Sequence, residues 1–310
     1  MRRLLTGLTA AAVLALGATA AMADTRVVFV THGQAADQYW SVVKKGVDDA
    51  GKQLGVTTEY LAPETFDMPA MVHLLEAAIA SKPDGLVVSI PDTDALSGPV
   101  KNAVAAGIPV IVIDSGGSEL SRSLGALLYM GQNEYDAGVA AGKRAAAIGV
   151  KHAVCANHEV GNISLDDRCR GFQDGLGSPV PVLQGVMDPT EMKARILAHL
   201  NSNPDTDFIL TVGSAGADPA LAAVDEAGLS GKVKTGTFDL SPTILQAVDA
   251  GKMEWGIDAQ QYLMGYVPVM MFDLMKRYKL APIEDYPTGP GFVTKADAAT
   301  IVDLAKQGVR

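Results

Sequence analysis

KPDGLVVSIPDTDALSGPVKNAVAAGIPVIVIDSGG, residues 82–117, is the stretch that decides the fold. Positions 85–90 are a short apolar run rich in β-branched residues, 94–106 carry helix formers, and 108–113 are apolar throughout. That order reads as strand, helix, strand. Runs that are apolar at every position belong to strands covered on both faces, the habit of a parallel sheet flanked by helices. Each strand breaks off into polar residues, Ser89-Ile90-Pro91-Asp92 after the first and Asp114-Ser115-Gly116-Gly117 after the second. In open α/β sheets ligands bind in the crevice beyond the carboxyl ends of the strands.

The same alternation extends in both directions. Upstream lie a strand at 26–31, the segment Asp37-Gln38-Tyr39-Trp40, a helix at 41–54, a strand at 56–61 and a helix at 69–81 that turns Met71, Leu74, Leu75, Ala78 and Ile79 to one face. Downstream, 118–123 is too polar for core, and the pattern resumes at 124–130. From Tyr135 a second domain of the same kind begins: helices at 135–148, 166–176, 189–201 and 219–227 alternate with strands at 152–156, 180–185, 208–211 and 234–238. Loops at 157–165, 213–218 and 239–242 again follow strand ends. The remainder is less regular, with crossings at 256–261 and 289–294, a Met-rich helix at 262–278 interrupted by Pro268, and a terminal helix at 295–307. No low-complexity linker separates the halves, so the pattern suits two halves joined by several short strands.

At 310 residues the chain has room for two such domains, each burying its own core. Met1-Arg2-Arg3, an apolar stretch at 4–20 and the small-x-small triplet Ala21-Met22-Ala23 read as an export signal cut after Ala23. Its removal takes Arg2 and Arg3 away and moves the formal charge from −10 to −12. Phosphate binding needs a basic face, so nucleic acid is excluded as a partner. Cys155 and Cys169 both survive the cut, and in an exported protein such a pair favours a disulfide over two buried thiols.

Catalytic motifs are missing. Gly116-Gly117-Ser118-Glu119-Leu120 lacks the closing glycine of a nucleophile elbow, and His158-Glu159-Val160-Gly161-Asn162 has Asn where a zincin needs its second His. What the strand ends carry is a polar set with an aromatic pair: Asp37, Tyr39 and Trp40; Ser89 and Asp92; Asp114 and Ser115; Asn162 and Arg168; Gly213 and Ser214; Asp239; Gln260. A polyhydroxylated ligand needs such a set, because each hydroxyl both donates and accepts and a carboxylate accepts several bonds. Aromatic rings cover the C–H faces of a sugar, and an arginine forks onto adjacent hydroxyls. Asp37, Asp114 and Asp239 face a single guanidinium, Arg168, which favours a neutral sugar, a polyol or an amino sugar over a sugar acid. The same residues have plainer uses: Tyr39 and Trp40 as a staple or core, Asp114, Asp239 and Asp92 as caps, and Arg168 as a solvated neighbour of Asp166 and Asp167.

Taken in order, these residues resemble the periplasmic sugar-binding proteins of the ribose, galactose and inositol type, over nearly all of 24–310. The motifs that carry the likeness are Asp37-Gln38-Tyr39-Trp40, Ala106-Gly107-Ile108-Pro109-Val110-Ile111-Val112-Ile113-Asp114, Arg168-Cys169-Arg170-Gly171-Phe172, Thr237-Phe238-Asp239 and Ile257-Asp258-Ala259-Gln260-Gln261-Tyr262-Leu263-Met264-Gly265-Tyr266. The resemblance implies an α/β fold of two doubly wound parallel-sheet domains joined by a three-segment hinge, with crossings near 131–134, 258–261 and 290–294. It implies lobes of 24–132 plus 261–290 and of 133–260 plus 291–310. Asp114, Asp239, the Tyr39–Trp40 pair and Arg168, rather than Arg170, would hold the ring. The chain departs from the family at Asp258-Ala259-Gln260-Gln261, where Asp-Gln-Gln-Pro is usual, so the glutamine contact falls to Gln260. It departs again at Gly213-Ser214, where Asn-Asp is common, and at Ser115, where the ribose binder has an arginine. The expected protein is a periplasmic monomer without cofactor or enzymatic activity, and with no metal at the ligand site, that closes on one neutral sugar or polyol and delivers it to a membrane permease of an ATP-driven importer. The rivals are a secreted carbohydrate-active α/β enzyme and a receptor that reports to a chemoreceptor or sensor kinase.

Overall fold

The computed structural model describes residues 25–33 and 37–310. The export signal expected at 1–23 lies outside the described residues. Two six-stranded sheets organise the chain. The first runs in the order β11-β5-β4-β3-β1-β2 and the second β12-β10-β9-β8-β6-β7. Its strands are β1 (Arg26–Val30), β2 (Thr57–Leu61), β3 (Gly85–Val88), β4 (Val110–Ile113), β5 (Leu128–Gly131) and β11 (Tyr286–Pro287). Those of the second are β6 (Ala153–Asn157), β7 (Val182–Gln184), β8 (Phe208–Thr211), β9 (Lys234–Phe238), β10 (Gly256–Asp258) and β12 (Gly291–Val293). All pairings are parallel except β10 with β12. This is the expected α/β class of two doubly wound sheets, and the two orders match strand for strand.

The apolar strands are apolar because both faces are covered. β3 and β4 are buried at every position. On one face of the first sheet lie α1 (Gln38–Leu54) and α10 (Gln261–Tyr278); on the other lie α2 (Met68–Ala80), α3 (Thr93–Ala105) and α4 (Gly117–Leu124). The second sheet is covered by α5 (Glu134–Ala147) and α6 (Ile163–Leu176) on one side. Its other side carries α7 (Pro189–Ser202) and α8 (Ser214–Glu226), with α9 (Pro242–Asp249) and the terminal helix α11 (Lys295–Lys306) at the end.

Four features differ from the sequence reading. The stretch expected to be irregular around 118–123 is the helix α4, whose only apolar residues, Leu120 and Leu124, stand one turn apart and whose end is sealed by Gly125 in the left-handed region at φ 83°. The segment after 242 is also helical, because Ser241 caps α9 by accepting from the Ile244 N–H and Pro242 occupies the first turn. Pro268 does not interrupt α10, which runs on through it. Helices α6 and α8 also begin earlier than expected, at Ile163 and Ser214, which shortens the loops after β6 and β8.

Three segments cross between the sheets: β5 to α5, β10 to α10, and β11 to β12. The third passes at residues 288–290, a few positions before its expected place. The crossings are packed together: the Gln260 amide donates to the Thr288 carbonyl at 2.6 Å, and the Thr288 N–H donates to the Gly131 carbonyl at 3.1 Å. Cys155 on β6 and Cys169 on α6 form a disulfide that ties the helix to its strand.

Candidate functional site

The carboxyl ends of β1, β3 and β4 face those of β6, β8 and β9 across a cleft with about 370 Å³ of non-atom space. Both sheets reverse their strand order at the same place, and the cleft lies at both switch points. The lobes meet at its rim, where the Ile163 N–H donates to the Pro91 carbonyl at 3.1 Å and the Asn162 amide stands 3.4 Å from the His32 ring.

Asp114 and Asp239 occupy equivalent positions, each following the strand fourth in its sheet. Both backbones are left-handed, with φ 60° and 68°. Non-glycine residues adopt that region at a cost, and they do so where the fold over-determines them. Asp114 is held from two sides: the Tyr39 hydroxyl donates to Oδ1 at 2.6 Å and the Ser115 hydroxyl to Oδ2 at 2.7 Å. Asp37 caps α1 by accepting from the Tyr39 N–H at 2.9 Å. Burial pushes its carboxyl up to about 6, against the opposing pull of that N–H. Asp37 therefore serves both as the cap of α1 and as part of the cleft lining. Tyr39 and Trp40 likewise line the cleft and belong to the core beneath it. Trp40 meets the edges of Tyr39 and His32 at centroid distances of 5.2 and 4.7 Å.

The opposite wall comes from α6 and the ends of β8 and β9. Asn162 caps α6, accepting from the Ser164 N–H and donating to Glu159 at 2.9 Å. Arg168 is buried, with 3% of its surface exposed. Its Nε and Nη2 donate to the two oxygens of Glu134 at 2.6 and 2.9 Å, and Nη1 donates to the Val212 carbonyl at 2.7 Å. The fork that the sequence assigned to ligand hydroxyls is thus spent on Glu134. What Arg168 turns to the cleft is Nη1, 3.7 Å from Asp239 Oδ1. Arg170, by contrast, is an exposed partner of Asp167. Burial pushes Asp239 up to about 8, with Arg168 pulling the other way, and its Oδ1 has no hydrogen-bond partner among the described residues.

Of the sequence candidates, Asp37, Tyr39, Trp40, Asp114, Ser115, Asn162, Arg168 and Asp239 line the cleft together. Ser89, Gly213 and Gln260 do not. Ser89 stands behind it and fixes His32, bonding the ring Nδ1 at 2.8 Å and accepting from the backbone N–H. Gly213 makes room: a Cβ there would fall 2.4 Å from the His158 ring and 3.2 Å from Asp239. Gln260 belongs to the crossings. Ser214, from the same strand-end set, also lines the cleft, whereas sequence reasoning missed His32, His158, Glu159, Ser164, Leu165 and Val212 as lining, and Glu134 as the partner of Arg168. His32 follows β1 and His158 follows β6, so the strand-end rule that found Asp114 would have found both. Burial holds His32 down to about 4 and His158 down to about 3, so both rings are neutral near pH 7.

The arrangement offers the carboxyl groups of Asp37, Asp114, Glu159 and Asp239, hydroxyl and amide groups of both polarities, a guanidinium edge and an aromatic wall, all from buried side chains. It suits a small molecule that carries many hydroxyls.

A family model for the periplasmic binding protein domain matches residues 27–279. A carbohydrate transporter from Acidothermus cellulolyticus, solved in complex with myo-inositol, is 33% identical with a TM-score of 0.87, over 93% of this chain and 100% of that one. A periplasmic sugar-binding protein of an ABC sugar transporter from Legionella pneumophila is 27% identical with a TM-score of 0.79, over 86% of this chain and 99% of its own. The xylose/arabinose-binding protein XylF of Sulfolobus acidocaldarius is 27% identical over 88% of this chain and 71% of its own length.

Proposed function

The chain belongs to the periplasmic binding protein family, whose members are exported solute receptors rather than enzymes, and from that premise we propose that it captures one neutral monosaccharide or polyol between its lobes. The observation that carries the reading is the convergence of Asp114, Asp239, Arg168 and the Tyr39–Trp40 pair on one buried cleft. Ligand contacts that span both walls favour the closed form, so closure is a hinge motion about the three crossings. The lobes that move are 24–132 with 261–290 and 133–260 with 291–310. The mature monomer, cut after Ala23, hands its ligand to the membrane permease of an ATP-driven importer. The similarity to the myo-inositol complex puts cyclitols first among the candidates.

A thermal-shift screen over pentoses, hexoses, hexitols, inositols and amino sugars tests this. A ligand at 100 times its dissociation constant adds about 2.7 kcal/mol of stability. A panel with no stabilising member, or incubation that releases a product from a sugar, would overturn the receptor reading.

A further inference from the structure

We propose that Glu134 sets the charge preference of the cleft: by cancelling Arg168 from behind the lining, it bars sugar acids and admits uncharged or ammonium-bearing polyols. This deepens the receptor reading above and rests on it.

Glu134 is the first residue of α5, directly after the first crossing between the lobes, and it does not line the cleft. It is 7% exposed and grips the guanidinium through both oxygens. The Gln132 amide donates to the same carboxylate at 2.8 Å. Oε2 therefore accepts two bonds and Oε1 one, so the geometry demands the ionised form, although burial pushes this carboxyl up. Arg168 is the only lysine or arginine among the described residues that line the cleft. With its charge matched by Glu134, the carboxyl groups of Asp37 and Asp114 face no other lysine or arginine in the lining, the neighbouring imidazoles of His32 and His158 supply no charge, and Asp239, 3.7 Å from Arg168, holds its proton up to about pH 8. An entering carboxylate meets acceptors where it needs donors, whereas a hydroxyl or an ammonium donates to them.

The test uses isothermal titration with two matched triplets, glucose, glucuronate and glucosamine, and galactose, galacturonate and galactosamine, and with one matched pair, scyllo-inositol and scyllo-inosamine. In the wild-type protein each acid should bind at least ~10-fold more weakly than its uncharged parent, and each amine at least as tightly, for a unit charge roughly 6–8 Å away at an effective dielectric near 20. Glu134→Gln should narrow the penalty on the acid by roughly 10- to 100-fold on the same basis, whatever it does to absolute affinity. Glu134→Asp, which restores the charge, should restore the wild-type ratio. A purely structural role would weaken all members of a set alike. An acid that binds the wild-type protein as well as its parent overturns this inference alone, and so does an unchanged ratio in Glu134→Gln. A panel in which no uncharged member binds overturns the receptor reading instead.

Discussion

Replacing Gly171 with Ala should weaken ligand binding without touching the cleft. Helices α5 and α6 pack through facing glycines, Gly138 and Gly142 on one and Gly171 and Gly175 on the other. A Cβ at position 171 would lie 2.1 Å from the Tyr135 carbonyl oxygen and 2.9 Å from the Val139 nitrogen. Ordinary contact needs about 3.5–4 Å. Backbone cannot rotate aside as a side chain does, so the helices must part by about 1 Å or more to reach that separation. Alanine returns about 1 kcal/mol of helix propensity, while overpacking costs about 1–3 kcal/mol and occasionally more. A net loss of up to about 2 kcal/mol would lower the melting temperature of this lobe by up to roughly 8 °C. The functional consequence follows from what the seam carries: Glu134 opens α5 and Arg168 sits on α6. Parting the helices stretches both arms of their pair, now 2.6 and 2.9 Å, beyond good hydrogen-bond length. A charge-assisted bond contributes about 1.5–3 kcal/mol, so affinity for the ligand found by thermal shift should fall roughly 10- to 100-fold. Gly177→Ala is the control. It also ends α6, at φ 76°, but nothing lies near its missing Cβ. It should cost about 1 kcal/mol of backbone strain and leave affinity unchanged. Equal affinity in Gly171→Ala and wild type by titration calorimetry, despite lost stability, would refute the link between the glycine seam and the arginine.

Ala replacement of Arg168 should abolish binding and destabilise the protein by about 3–5 kcal/mol, since Glu134 is left buried and uncompensated; the same change at exposed Arg170 should do neither. Between pH 6.5 and about 8 the unliganded protein should lose stability as pH rises. Asp239, raised to about 8, binds a proton in the folded state that the unfolded chain has released, and its contribution disappears as pH climbs through that value. His32 and His158 act in the opposite sense, but only below their unfolded value of 6.5. The loss should reach about 2 kcal/mol, and urea titrations of Asp239→Asn should show a flat profile over the same window. Reduction of Cys155–Cys169, whose sequence separation is 14, should cost about 3 kcal/mol in the chain-entropy account. Two thiols should become titratable only after reductant is added, and two thiols without it would overturn the disulfide.

What the sequence alone determined were the features written in short-range patterns. The apolar runs at 85–90 and 108–113 specify buried parallel strands because both faces of such a strand need covering, and the polar residues just after them mark the ligand side. Asp114 was legible for that reason, being the first polar residue after an apolar strand, and Asp239 by its place at the end of the Thr237-Phe238-Asp239 strand motif. Helix α4 was not, because an eight-residue helix with two leucines gives too little periodicity to register. Only the tertiary structure decided that Arg168 turns its fork away from the cleft to Glu134, and that Ser89 and Gln260 support the site from behind. Those partners are 34, 57 and 28 positions apart in the chain. Which of two polar groups ends up satisfied by the other depends on how helices and crossings pack, and a local pattern of residues carries no record of that.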